Sequence, residues 1–260
     1  MSLTLLPVLQ SKDLLIAWTQ RTIRGRYQQS LLGWLWAIVQ PVASVVIFSI
    51  IFTRFVPVDT GAIAYPLFSY VAVAPWTFFS TSLQDMTASL SLNFSLVTKV
   101  YFPREVLPVS AMLARLLDFG VASLVIVALM VIYQVPVFLP GLLFLPLILL
   151  VQIILILGLG LITSATNVFF RDVQPLLTLV IQLWFYASPI IYPVSFVPEK
   201  WRVLYFLNPM AGILEAYRSV LLYQSLPTTT LLVAGVESLL VLAFGYWLFK
   251  RVEFQFADIV

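Results

Sequence analysis

From Asp118 to Arg171 the chain runs through residues 119–170, 52 in all, without one charged side chain. A helix needs roughly 20 apolar residues to cross the hydrocarbon core of a bilayer. Three more gaps have the same character: 27–53, 60–84 and 173–198. Composition agrees. Of 260 residues, 62% are hydrophobic and 10% charged, whereas ordinary globular domains are about 45–50% apolar and about 25% charged. A water-soluble fold of this length has nowhere to bury so much apolar side chain, so its solvent must be lipid. The long uniform runs are helical, because barrel strands would alternate in short segments.

The longest gap divides at Tyr133–Gly141, where Pro136, Pro140 and Gly141 supply a turn. Six spans are then expected near 33–55, 65–84, 107–132, 141–166, 174–192 and 228–249. With the N-terminus inside, nine Lys and Arg fall on the cytoplasmic side, four outside, and Arg115 within a span, of the 14 present. That asymmetry puts both termini in the cytoplasm. Residues 1–32 form a cytoplasmic N-terminal segment, 33–250 the membrane domain and 251–260 a cytoplasmic tail. The run Leu3–Leu9 is short, is interrupted by Thr4 and Pro7, and lacks a preceding basic stretch, so it does not read as a cleaved signal.

Missing residues narrow the chemistry. The chain has no cysteine and no histidine, which removes thiol chemistry, disulfides and histidine-based catalysis or ligation. None of its four lysines follows a glycine, so there is no phosphate-binding P-loop. The closest acids, Glu253 and Asp258, are five positions apart, too sparse for a metal-binding D-x-D or a hydrolase carboxylate pair. No enzyme activity, cofactor or metal is expected in the chain itself. The net charge of +3 fits basic cytoplasmic loops and gives no reason to invoke nucleic acid. Arg115 and Asp118, three residues apart in the third span, read as an ion pair. Glu237, deep in the last span, reads either as a polar contact in a path or between subunits, or as a protonated or paired carboxyl.

Between the spans, Lys12–Ser30 reads as an interfacial amphipathic helix or as a basic juxtamembrane stretch. Asp13, Gln20, Arg21, Arg24 and Gln28 share one arc, with Lys12 and Arg26 as exceptions. The segment 85–105 is longer than topology requires. Its Lys99, Tyr101, Phe102, Pro103, Arg104 and Glu105 make either a docking surface or a solvated turn. The outer segment 191–227 is too apolar for a free loop and too interrupted for a span. It reads as two short re-entrant helices meeting near Asn208-Pro209, or as an amphipathic segment lying flat. Glu215 and Arg218 within it are placed to neutralise each other. Trp76, Phe79, Trp184 and Tyr186 lie deeper and either line a path or face lipid and pack in the protein.

The run from Arg26 through Ser30-Leu-Leu-Gly33-Trp-Leu-Trp36 to Gln40-Pro41 resembles the start of the first span in permease subunits of polysaccharide-exporting ABC transporters. Phe170-Arg171-Asp172 is similar to that family's short inner loop. Ser188-Pro189-Ile-Ile-Tyr192-Pro193, then Asn208-Pro209-Met210 through Arg218, resemble its outer region. The resemblance runs nearly end to end and implies an all-α integral membrane fold: six transmembrane helices, an N-terminal interfacial helix and re-entrant outer helices between spans five and six. It implies two copies forming a channel, and two cytoplasmic ATPase subunits carrying ATP and Mg. These would dock on the segment around Leu96–Glu105 and on the interface helix with Arg21, Arg24 and Arg26. Pro189, Tyr192, Pro193, Asn208, Pro209, Glu215 and Arg218 would then build an outer gate. The cargo would be a lipid-linked polysaccharide (O-antigen, capsule or a related glycan) crossing a bacterial cytoplasmic membrane, with membrane lipids around the channel. A permease of the same architecture for a drug, a lipid or heme remains the alternative, and an ion-coupled carrier the weaker one.

Overall fold

A computed structural model describes residues 11–28, 30–100 and 102–257. The run Leu3–Leu9 and the docking residue Tyr101 lie outside the described residues. Within them the chain is all helix and loop, with no strand.

Helix α1 (Lys12–Tyr27) is followed by a bend that the sequence encodes. Gly33 takes a left-handed φ of 50°, which glycine adopts without a Cβ penalty, and its N–H donates to Ser30 Oγ at 3.1 Å. The bend opens α2 (Trp36–Ile50), whose end widens into a π-turn over Ile51–Phe55. Helix α3 (Tyr65–Leu92) starts with Pro66 in its first turn, where a missing N–H is harmless. A short α4 (Phe94–Lys99) leads to α5 (Val106–Ile132). The 133–137 turn closes α5 with Gln134 in the left-handed region and Val135 N–H donating to Met130 O. Then come α6 (Leu139–Leu142), α7 (Leu145–Phe169), α8 (Val173–Tyr186), α9 (Glu199–Tyr205), α10 (Pro209–Leu221) and α11 (Thr229–Val252).

Among the described residues, four helical stretches are long and apolar enough to cross a membrane: Gly33–Phe55, Val106–Ile132, Leu139–Phe169 and Thr229–Phe256. Two other expected spans differ from the sequence reading. Helix α3 continues to Leu92 instead of ending near residue 84, and its serines and threonines make it less apolar. Helix α8 ends at Tyr186 instead of reaching residue 192. Pro189 disfavours helical backbone at Ser188, and residues 187–193 run as turns.

Helix α3 is the hub. Nearly every residue from Tyr65 to Ala74 is buried, and α2, α5, α7, α8 and α10 all pack against it. Helix α10 is buried except at Pro209 and Glu215. By contrast α2 buries only Pro41 and Val45, and α8 only Leu177 and Ile181. Burial is thus concentrated on α3 and α10, whereas α2 and α8 leave most of their surface uncovered.

Helices α7 and α11 approach most closely at glycines. A Cβ on Gly158 would lie 2.6 Å from Leu242 N, and one on Gly245 would strike the Gly158 carbonyl. Small residues at such crossings let helix backbones pack in lipid. Gly158→Ala or Gly245→Ala is expected to destabilise the protein by about 1–3 kcal/mol through overpacking, read as a lower thermal midpoint in detergent. Gly235→Ala, whose Cβ would meet only Val151 Cγ2 at 3.7 Å, should leave the midpoint unchanged or slightly raised.

Candidate functional site

The elements that departed from a plain helix bundle cluster at its two ends. At the end bearing α1, four charges form one lattice. Arg26 donates to Asp85 Oδ2 at 2.6 Å and to Asp118 Oδ2 at 2.8 Å. Arg115 Nε donates to Asp85 at 2.6 Å, and its Nη1 reaches Asp118 at 3.4 Å. The Arg115–Asp118 pair is present as expected, but it is the weaker edge of a square that joins α1, α3 and α5. Tyr27 adds an O–H bond to Asp118 Oδ1 at 2.6 Å and stacks on Trp34. Burial, and then the adjacent Asp118 carboxylate, push the Tyr27 phenol above its ordinary value, so it stays a donor. Arg26 was the exception on the α1 wheel because it faces inward to two carboxylates. Arg21 and Arg24 remain exposed, Arg21 lying over the Trp18 ring at 4.3 Å.

The segment following α4 is only partly a surface. Lys99 and Val100 are exposed, as are Thr98 and Leu92. Phe102 packs into a small core with Leu90, Val97, Leu107, Phe249 and Phe256. Arg104 lies over the Phe256 ring at 5.8 Å. Glu105 is only 1% exposed and pairs with Lys250 Nζ at 2.7 Å, which also holds Glu253 at 3.1 Å. The end of α11 therefore clamps residues 102–105 in place, with Pro103 at the bend.

At the opposite end, the backbone that leaves α8 is held by side chains from three elements. Asn208 does most of this. Its Oδ1 accepts from Met210 N–H, capping α10, and from Trp184 Nε1 at 2.8 Å. Its Nδ2 donates to Ser188 Oγ at 3.0 Å and to the Ala187 carbonyl. Tyr65 O–H donates to the Ile191 carbonyl at 2.9 Å, and Arg218 Nη2 to the Ile190 carbonyl at 2.8 Å. Tyr192 bonds the Tyr186 carbonyl and meets the Tyr205 hydroxyl at 3.2 Å. Pro189 is buried where the helix stops, while Pro193 leads into the turn before α9 and Pro209 begins α10. Glu215 and Arg218 are placed to neutralise each other and act on each other electrostatically, without closing to a direct salt bridge. Arg218 is fully buried, lies over the Phe68 ring at 3.7 Å, and leaves Nε and Nη1 without partners.

The deep aromatics form one cluster between α3 and α8. Trp76 and Phe79 are 5.3 Å apart, and Trp184 meets Phe79 edge-on at 5.2 Å. Trp76 and Phe79 are buried within the chain, Trp184 is half-buried and Tyr186 is exposed. On α7, Gln152 donates to the Pro75 carbonyl at 2.8 Å and accepts from Tyr217 O–H at 3.1 Å, tying α3, α7 and α10 together. The sequence reading had no way to choose Gln152, whose only signal is an amide in an otherwise apolar run. Glu237 stays partly exposed, with Oε2 buried and unpartnered. Among the described residues, no three metal-ligating groups converge.

Residues 13–222 match the model of the ABC-2 type transporter family. The chain belongs to the ABC-2 type transporter family. The matched stretch of this ABC-2 chain contains the charge lattice, the segment after α4 and the broken backbone beyond α8. Relatives extend the likeness over almost the whole length. The chain is 31% identical over 253 residues to a Myxococcus xanthus protein named O-antigen export system permease protein RfbA, covering 96% of each. It is 29% identical over 248 residues to a Klebsiella pneumoniae protein of the same name, covering 95% of each. An Escherichia coli polysialic acid transport protein, KpsM, shares 26% identity over 209 residues and 78% of each chain. As an ABC-2 family member with this helix content, the protein is a multi-pass membrane transport component.

The lattice gives a direct test of how α1 is held. Arg26→Gln removes both of its ion pairs and leaves Asp85 to Arg115, and Asp118 to Arg115 and the Tyr27 hydroxyl. Hydrogen exchange over residues 12–27 should accelerate, with a loss of about 1–3 kcal/mol in local stability. Arg26→Lys should restore only part of this, because an ammonium cannot fork to two carboxylates as a guanidinium does.

Proposed function

We propose that this chain is the channel-forming permease subunit of an ATP-driven exporter that moves lipid-linked polysaccharide across the bacterial cytoplasmic membrane. The observation that carries the reading is the near full-length likeness to named O-antigen export permeases, and the polysialic acid relative supports the same cargo class. In this reading α2, α3, α5, α7, α8 and α11 are the six spans, and the end bearing α1 is cytoplasmic. Two copies enclose the channel. Two separate ATPase subunits bind and hydrolyse ATP with Mg, since this chain contains no P-loop.

The ATPase docks on the exposed rim of Leu92, Thr98, Lys99 and Val100, next to Tyr101. Phe102, Pro103, Arg104 and Glu105 support that rim from behind, fixed to α11 through Lys250. Arg21 and Arg24 meet anionic lipid headgroups or the ATPase. The backbone from Pro189 to Pro193, together with α9 and α10, is the outer gate, held by Asn208, Tyr65 and Arg218. Tyr186 and the exposed edge of Trp184 contact the glycan, with Phe79 and Trp76 fixing their position.

Deleting this protein should remove one surface polysaccharide and leave its lipid-linked precursor inside the cell; an unchanged surface-glycan profile would reject the polysaccharide reading. Lys99→Glu is expected to reduce co-purification of the ATPase several-fold while the permease stays folded. Glu105→Gln should act differently. It leaves Lys250 with Glu253 alone and lowers the thermal midpoint, with docking lost only as the fold is lost.

A further inference from the structure

Between the second half of α5 and the start of α7 lies a groove of about 940 Å³. Ile126 and Met130 of α5 form one wall, Leu145 and Leu149 of α7 the other, and Tyr217 and Leu221 of α10 the floor. Phe119, stacked on Phe78 at 5.2 Å, closes the deep end. The 133–137 turn frames the mouth, where Gln134 is exposed. The two hydroxyls deeper in the groove are already satisfied. Ser123 donates to the Phe119 carbonyl at 2.8 Å, and Tyr217 to Gln152 Oε1 at 3.1 Å. No charged side chain lines the groove. It therefore offers carbon along its depth and one amide at its mouth. A hollow of this size left empty would forfeit the dispersion contacts of its walls.

We propose that the groove is the binding site of one phospholipid from the leaflet at the α10 end. Its two hydrocarbon chains lie between α5 and α7 on Tyr217 and Leu221, and its glycerol esters meet Gln134. Dimensions select this occupant. From Phe119 to Gln134 is about 22 Å at helical rise, and one leaflet with its headgroups is roughly 20–22 Å thick. A methylene fills about the 30 Å³ share of one water, so the groove holds on the order of 30 methylenes, or two acyl chains. Spread over that length, the volume gives a mean cross-section of roughly 40 Å². A helix about 10–12 Å across needs twice that or more, so a partner's transmembrane helix does not enter. Chemistry selects the same occupant. An acyl chain gives up no hydrogen bond on entering, and ester carbonyls accept from the Gln134 amide. Without charge in its lining, the site reads chains and not the headgroup. Seated there, the lipid backs α10, whose Arg218 holds the Ile190 carbonyl. The proposal needs only the membrane placement of these helices and is independent of the cargo.

The full-length protein would be purified in mild detergent and given a small molar excess of phosphatidylethanolamine bearing a diazirine at one acyl-chain end. Photolysis and peptide mapping then read where that end lies. Labels should fall on Phe119, Ser123, Ile126 and Tyr217 several-fold more often than on Leu124, which is 65% exposed but outside the groove. A diazirine on the headgroup should instead label residues 133–137. Val127 is exposed along the α5 wall. Val127→Trp narrows the groove and should cut chain-end labelling several-fold while the thermal midpoint in detergent holds. Leu124→Trp should leave groove labelling unchanged, and phosphatidylglycerol should label as well as phosphatidylethanolamine. Labelling of Leu124 as heavy as that of the groove would overturn the site, as would a groove without label. So would full labelling of a folded Val127→Trp protein, or a several-fold preference for one headgroup. Each of these results leaves the polysaccharide reading as it stands.

Discussion

Along most of its length this chain has no water with which to satisfy a polar group. Every carbonyl outside a helix and every charge near the bilayer must find its partner inside the protein. That requirement organises both ends of the fold. At one end, two arginines and two aspartates from three helices satisfy one another in a closed square. At the other, the carbonyls freed where α8 stops are taken up by Asn208, Tyr65 and Arg218. The middle is handled in the same way on a smaller scale, where Gln152 spends its amide on Pro75 and Tyr217.

These devices share one support. Asp85 and Tyr65 belong to α3, twenty residues apart and thus about 30 Å along the same axis. The partly buried charge square and the broken backbone are therefore attached to opposite ends of one buried rod. Asn208 adds a second link by bonding both Trp184 of α8 and the first turn of α10. Displacing α8 must consequently disturb the cap of α10, and displacing α10 must disturb the break. Arg218 has an unequal position in this arrangement. It gives one hydrogen bond to Ile190, while two of its nitrogen atoms stay unpartnered. Its contribution to holding the segment is offset by that unmet capacity, so the held segment is less secure than the number of bonds to it suggests.

How much of this was legible in the sequence follows from which signals are local. Apolar length located four spans closely, three of them in charge gaps, because hydrophobic length is a property of a single stretch. Proline and glycine located the turns at 133–141 and the junction at Asn208-Pro209 for the same reason. The end of α8 was misjudged because apolar residues continue to Ile191, and only the Pro189 effect on Ser188 marks the stop. The charge square was half visible. Arg115 and Asp118 announce themselves by their spacing, whereas Asp85 and Arg26 lie 30 and 92 positions away from their partners in the chain. Arg26 gave a hint by sitting off the polar face of α1. The inward turn of Phe102 and Glu105 was not legible at all. It depends on Lys250 and Phe256, which arrive from the far end of the sequence.

The distribution of charge also bears on how such a protein can be driven. Fixed charges gather near the two ends, and Glu237 stands apart as a carboxylate within α11. A carrier coupled to an ion gradient needs titratable or ion-binding groups at mid-depth that change state during each cycle. Here mid-depth is held by aromatic packing, glycine crossings and neutral amides, with Glu237 standing as a single carboxyl in α11 where several acids would be needed. In the proposed reading force enters mechanically, from surfaces that a partner ATPase can push. The rim around Lys99 is suited to that because it is exposed, short and rigidly braced: α4 connects it to α3 on one side, and the Glu105–Lys250 pair fixes its other side to α11. A push on that rim is shared between α3, which bears the charge square and the Tyr65 contact to the break, and α11, which crosses α7 at Gly158 and Gly245. In the proposed reading, that bracing serves a subunit that transmits work supplied by a partner ATPase.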